Sequence, residues 1–199
     1  MTNYLAAFLT IALCATACPA AEPPAAAKPA GTGTAMRYVQ RANTGSLTFS
    51  FTQAGATNTG SFKSFATELN YDEKNLAASS LKVTVQIGSL ATQDQERDDT
   101  LKSADLFDAQ KFPTAQYTAT SLAKTGGGIE AVGKLTLRGV TRDLRLPLTI
   151  RPAANGLELS GEVTLKRLDF GVGQGDWKAT DTVGDAVKVQ YKVPVVRAD

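Results

Sequence analysis

The chain has 199 residues, of which 43% are hydrophobic and 20% charged, with a net charge of +2; this is enough apolar material for one core, too much for a generally disordered chain, and too little net charge to argue for a nucleic-acid partner or an anionic membrane surface. It contains no histidine, which removes the commonest metal ligand and the commonest general base, and with them any Ser-His-Asp or Cys-His arrangement.

Residues 5–17 form an apolar run shorter than the roughly twenty residues a membrane-spanning helix needs. The run ends on the small residues Ala15-Thr16-Ala17, as a signal cleavage site does, although the leading Met-Thr-Asn-Tyr carries no basic residue. Residues 1–17 are therefore expected to be a signal peptide and the protein to be periplasmic. Small-small-Cys at the end of a signal resembles a bacterial lipobox, which would make Cys18 a lipidated first residue and a membrane tether; the alternative is an ordinary signal ending beside a cysteine. Cys14 and Cys18 are the only cysteines, so the mature chain is expected to hold no intramolecular disulfide. Residues 18–35 are rich in Ala, Pro and Gly and read as a tether that cannot build a core. The folded domain is expected over residues 36–199.

Leu47, Phe49 and Phe51 alternate with polar residues, which predicts a strand with one apolar face. Residues 53–60 read as a polar turn region, and Phe62, Phe65, Leu69 and Tyr71 as the next strand. Leu81, Val83, Val85 and Ile87 give the clearest alternation in the chain, ending near Gly88. The stretch 94–113 is the one place where helix signals outweigh strand signals. Thr92 is expected as N-cap with Gln95 closing a capping box, Asp98 stands four residues before Lys102, and Pro113 stops the helix. Leu101, Leu106, Phe107 and Phe112 give this stretch an apolar tail. Strands then resume at residues 116–122, 135–137, 144–150 and 157–165, with Gly126-Gly127-Gly128 and Asn155-Gly156 as turns. Residues 171–185 read as a long Gly-rich loop containing Trp177, and Val187, Val189, Tyr191 and Val193 as the last strand. The prediction is an all-β fold of about eight antiparallel strands, a barrel or a sandwich, with a short helix after the strand ending near Gly88.

Chemistry-bearing motifs are few. Asp94, Glu96, Asp98 and Asp99 are the only acid-base or metal candidates, and a solvated first helical turn accounts for them; an enzyme built on them would lack a nucleophile site. Gly171-Val172-Gly173-Gln174-Gly175 lacks the Lys-Ser/Thr of a phosphate loop and reads as a flexible turn. Trp177, Lys178 and Arg167 could hold an anionic headgroup, against the plainer reading of a capping aromatic with exposed charges. A small barrel either fills its interior or leaves room for a ligand. Parity and aromatic size select Phe49, Phe51, Phe62, Phe65, Leu81, Val83, Val85, Phe107, Phe112 and Tyr117 as the lining of such a cavity; the alternative is a solid core and a protein that acts through its surface loops.

The order and spacing of several stretches carry a resemblance: Gly60-Ser61-Phe62-Lys63-Ser64-Phe65, Leu69-Asn70-Tyr71-Asp72, Arg97-Asp98, Leu101-Lys102-Ser103-Ala104-Asp105-Leu106-Phe107-Asp108, Lys111-Phe112-Pro113, Gly133-Lys134-Leu135-Thr136-Leu137-Arg138-Gly139-Val140-Thr141 and Arg167-Leu168-Asp169-Phe170-Gly171. From about residue 43 to 196 the chain resembles the YceI-like family of exported bacterial proteins. The resemblance implies a lipocalin-like antiparallel barrel that holds a polyisoprenoid, such as a quinone or a polyprenyl phosphate, with no covalent cofactor and no catalytic motif. It also implies a setting beside a cytochrome b561-type membrane partner. Two departures stand out: Asp99-Thr100 precede Leu101 where the family commonly has a histidine, and residues 43–46 stand where it often has a histidine and serine.

Overall fold

The computed structural model describes residues 35–198; the expected signal segment, Cys18 and most of the expected tether lie outside the described residues. The chain enters the barrel through β1 (Met36–Gln40) and β2 (Ser46–Gln53), turns back through β3 (Ala56–Phe62) and β4 (Phe65–Tyr71), and returns through β5 (Ser80–Gln86) and the short β6 (Leu90–Ala91). The helix α1 (Gln95–Lys102) follows, then a meander of long strands: β7 (Thr114–Thr125), β8 (Gly128–Leu137), β9 (Val140–Ala153), β10 (Gly156–Lys166) and β11 (Val183–Arg197).

The eleven segments build a closed eight-stranded antiparallel barrel, because three pairs of them lie end to end. One edge of β11 carries β2 from Val187↔Phe51 to Lys192↔Ser46 and then β1 from Val195↔Gln40 to Arg197↔Tyr38. The next position is shared in the same way: β3 pairs with β2, and β4 with β1. The third is shared by β5, on β4, and β6, on β3. Closure removes the unpaired edges that an open antiparallel sheet would present.

The expected turn region over residues 53–60 is instead the strand β3, joined to β2 by a tight turn in which Ala54 and Gly55 have φ of 48° and 80°. The alternation fails there because an inward position is Gly60, and the ring of Phe49, its cross-strand partner, fills the space a side chain would occupy.

The two ends of the barrel differ. The β4–β5, β7–β8 and β9–β10 turns mark one end, where Leu69, Leu122, Ala131 and Val195 pack into a solid core, and Leu148, Leu159 and Val193 of the same cluster also face the cavity beyond it. Toward the other end β9 and β10 separate: their ladder runs only from Gly156↔Ala153 to Ser160↔Thr149. The Tyr191 hydroxyl reaches past Gly161 to donate to the Pro147 carbonyl and spans the divergence. The widened end is covered by residues 92–113 and by the β10–β11 connection.

The helix is shorter than the stretch 94–113 and is capped differently from the expectation. Its N-cap is Asp94, whose carboxylate accepts from the Arg97 N–H at 3.1 Å. Thr92 does not cap; its N–H and hydroxyl both donate to Asp98 Oδ1 at 2.7 Å. That draws the Asp98 carboxylate inward, to 7% exposure, rather than toward Lys102 or into solvent. After Lys102 the chain continues as successive turns, with Asp108 at a φ of 50° reversing its direction.

Candidate functional site

A cavity of about 430 Å³ occupies the widened half of the barrel, so the interior is not solid. Nine of the ten residues expected to line it do so: Phe49, Phe51, Phe62 and Phe65 on β2 to β4, Leu81, Val83 and Val85 on β5, Tyr117 on β7, and Phe107 beyond the helix. Strand parity places the eight barrel residues, since only one face of each strand turns inward. Phe107 arrives differently. The turns after α1 drop it against Phe62, ring centroids 6.2 Å apart and edge-on, and Phe62 in turn packs on Phe49 at 5.3 Å.

Phe112 is the exception. It lies outside the cavity, against Gly139 in the β8–β9 turn, with Lys111 Nζ 5.4 Å from its ring centroid. Phe107 and Phe112 look like one apolar tail in the sequence, but the reversal at Asp108 sends them to opposite sides of the covering segment. The far wall, including Leu135, Leu144, Leu146, Val163, Val187, Val189 and Tyr191, also lines the cavity. Its inward parity was readable in the sequence; a preference for aromatic size passed over it.

The cover is fastened rather than loose. Asp105 O accepts from the Gly173 and Gln174 amides at 3.0 and 2.7 Å, and Arg138 Nη2 donates to Ala104 O at 2.7 Å. Leu106, Phe170 and Val172 are buried together beneath these bonds. The Gly-rich stretch expected as a flexible turn therefore spends its amides on the neighbouring segment.

Arg167 is the organiser of this connection. At 5% exposure it donates through Nε to Gly184 O, through Nη1 to Val172 O, and through Nη2 to Val183 O and Ala179 O. Burial pulls its pKa down and Asp185 opposes that shift. With four donors committed to carbonyls, Arg167 does not converge with Lys178 and Trp177 on an anion site: Lys178 is exposed, and Trp177 packs among the apolar residues of the cover. Nor is Arg167 one of the exposed charges of the plainer reading.

Inside the cavity the wall is almost wholly apolar. Tyr117 donates its hydroxyl to Ala131 O at 2.8 Å and Leu144 O at 3.2 Å, and burial pushes its pKa and that of Tyr191 upward. The Thr67 hydroxyl, at 3% exposure, has no hydrogen-bond partner among the described residues. Among the described residues the charged groups of the lining are Asp94, Glu96 and Arg97 at the helix, with Arg97 3.5 Å from Asp94, and Arg167, whose donors are taken by carbonyls. A space so lined repels water and ions and accepts a hydrocarbon chain.

Comparison with known proteins agrees with this architecture. Protein YceI of Salmonella arizonae is 36% identical over 121 residues, covering 57% of this chain and 62% of that protein. The UPF0312 protein plu2095 of Photorhabdus laumondii is 36% identical over 119 residues, 56% of this chain and 62% of its own length. The matched segment thus spans less than two thirds of these curated relatives. Among solved structures, BcnA of Burkholderia cenocepacia superposes with a TM-score of 0.72 at 27% identity, over 76% of this chain and 96% of BcnA. A polyisoprenoid binding domain from Saccharophagus degradans shares the fold with a TM-score of 0.66 at 14% identity, over 82% of this chain and 99% of that one. The model of the YceI-like domain matches residues 38–195, nearly the whole described barrel, and the chain belongs to the YceI-like family.

Proposed function

We propose that this protein is a non-enzymatic carrier that binds the apolar chain of an isoprenoid lipid, a quinone or a polyprenyl phosphate, inside the barrel. The observation that carries this reading is the apolar cavity of about 430 Å³ beneath a fastened cover. An isoprenoid tail burying about 400 Å² would gain roughly 10 kcal/mol gross at the usual area coefficient. Association and ordering costs remove much of this, and micromolar binding remains within reach without a special polar contact. The polyisoprenoid-binding domain of Saccharophagus degradans, with the same fold, lends support to the ligand class.

The signal-like residues 1–17 support a periplasmic setting, with Cys18 as the candidate lipid anchor and a cytochrome b561-type membrane protein as candidate partner. The carboxylates of the helix offer little to an enzymatic reading: Asp94 caps the helix, Asp98 holds Thr92, and Asp99 accepts from Gln95 at 2.9 Å. Native mass spectrometry of protein purified from its own host is expected to show a bound long-chain lipid. A clean ligand-free mass, with no uptake of added quinone, would falsify the proposal.

A further inference from the structure

The barrel wall is interrupted where β1 gives way to β2 and β3 to β4. Along β11 the partner position moves from Val195 to Lys192, while on the facing edge it moves from Gln40 to Ser46. The surplus residues loop outward in a turn held by the Thr44 N–H and hydroxyl, both donating to Arg41 O at 3.2 and 2.7 Å, with Asn43 and Gly45 at φ of 59° and 83°. Pro194, which has no N–H to offer a ladder, sits on β11 at this gap. Across the gap the β1–β4 ladder ends at Val39↔Glu68 and the β2–β3 ladder at Thr48↔Ser61. The Lys63 and Ser64 amides turn the other way, to Ser89. A slit in the backbone wall results. The divergence of β9 and β10 is also a gap, but Tyr191 spans it.

Outside the slit lies a hollow of about 570 Å³, bordered by residues on both sides of it. Leu47, Phe62 and Phe65 line both this hollow and the interior cavity, so the wall there is one side chain thick. The hollow carries Arg41 and Lys63, both exposed, and no carboxylate among the described residues lines it. The buried Gln40 Oε1, also at its border, has no donor among the described residues. The mouth beside the helix has the opposite balance, two carboxylates to one guanidinium.

We propose that the slit is a side portal and that the hollow outside it holds the anionic, phosphate-type head of the lipid, with the tail passing between Leu47, Phe62 and Phe65 into the cavity. This rests on the lipid-binding reading of the same cavity. The charge balance is what selects the side over the mouth: an anion at the mouth meets Asp94 and Glu96 beside the single cation Arg97, whereas at the slit it meets Arg41 and Lys63 and none of the described carboxylates.

Titration of the full chain with geranylgeranyl phosphate and, separately, with geranylgeraniol tests the assignment. The double variant R41E/K63E should weaken binding of the phosphate about tenfold or more while leaving the uncharged alcohol within about twofold, since only the charged head meets the reversed charges. R97E should leave the phosphate within about twofold, and inorganic phosphate alone should neither bind nor compete. An unchanged phosphate affinity in R41E/K63E, an equal loss for alcohol and phosphate, or a loss that follows R97E instead would each overturn the portal assignment. Competition by inorganic phosphate would overturn it too, as the mark of a free-anion site. A wild-type chain that binds neither lipid removes the carrier reading and the portal with it; binding of the alcohol alone removes only the portal.

Discussion

Arg167 shows how much of the covered end depends on one side chain. Its guanidinium gathers carbonyls from Val172, Ala179, Val183 and Gly184, groups that the path of the β10–β11 connection would otherwise leave facing apolar side chains or each other. A buried acceptor without a donor costs about 1–3 kcal/mol. Arg167→Met is therefore expected to lower the unfolding free energy by about 3 kcal/mol or more in urea. Arg167→Lys should recover only part of this, because an ammonium cannot place donors in the planar fork that these carbonyls require. A midpoint unchanged in Arg167→Met would show that the carbonyls find other partners. Asp98 works in the same manner on a smaller scale, with one carboxylate oxygen joining the Thr92 hydroxyl and N–H. Neither role is visible locally in the sequence, where both residues read as surface charges; each becomes evident once the backbone groups around it have been placed.

At the scale of elements, the cover consists of two segments that have little regular structure of their own and hold each other. The Asp105 carbonyl bridges to the Gly173 and Gln174 amides, and Arg138 reaches from the β8–β9 turn to Ala104. Gly173 is confined at this junction: its φ is 114°, and a Cβ would enter the space of the Arg167 guanidinium and approach Trp177 O at 2.8 Å. Gly173→Ala combines a left-handed strain with a collision, and a loss of about 2 kcal/mol or more is expected. Hydrogen exchange should show where the loss falls, with faster exchange at Gln174 and around residues 103–109 while β7 and β8 keep their protection. Uniformly faster exchange over the whole barrel would contradict a local latch. The strands themselves follow from alternation, and the helix from its charges, although its cap is Asp94 and not the expected Thr92. The strand β3 does not, because its inward Gly60 is completed by Phe49 from a neighbouring strand.

Across the whole molecule, Tyr117 and Tyr191 tie one wall to another: Tyr117 links β7 to carbonyls of β8 and β9, and Tyr191 links β11 to β9. Burial raises both phenol pKa values, so the folded chain holds these protons more tightly than the unfolded chain does. Stability from this source is complete below the usual phenol value of about 10 and is lost as pH rises beyond it. The urea midpoint is expected to fall above about pH 10, with the tyrosinate absorbance of these two residues appearing together with unfolding. Their titration at an ordinary phenol pKa in the folded chain would refute the strut role. The sequence by itself determined that the chain is all-β, which face of most strands turns inward, and where a helix interrupts them, because a period of two and a capped helical turn are local properties. It also carried the family resemblance that the matched model bears out. Only the tertiary structure decided that β1 with β2, and β3 with β4, share single barrel positions, that Phe112 leaves the interior, and that one half of the barrel is packed while the other is hollow. Cavity volume is set by side chains meeting across strands far apart in the chain and by how far β9 departs from β10, and no single stretch of sequence holds that sum.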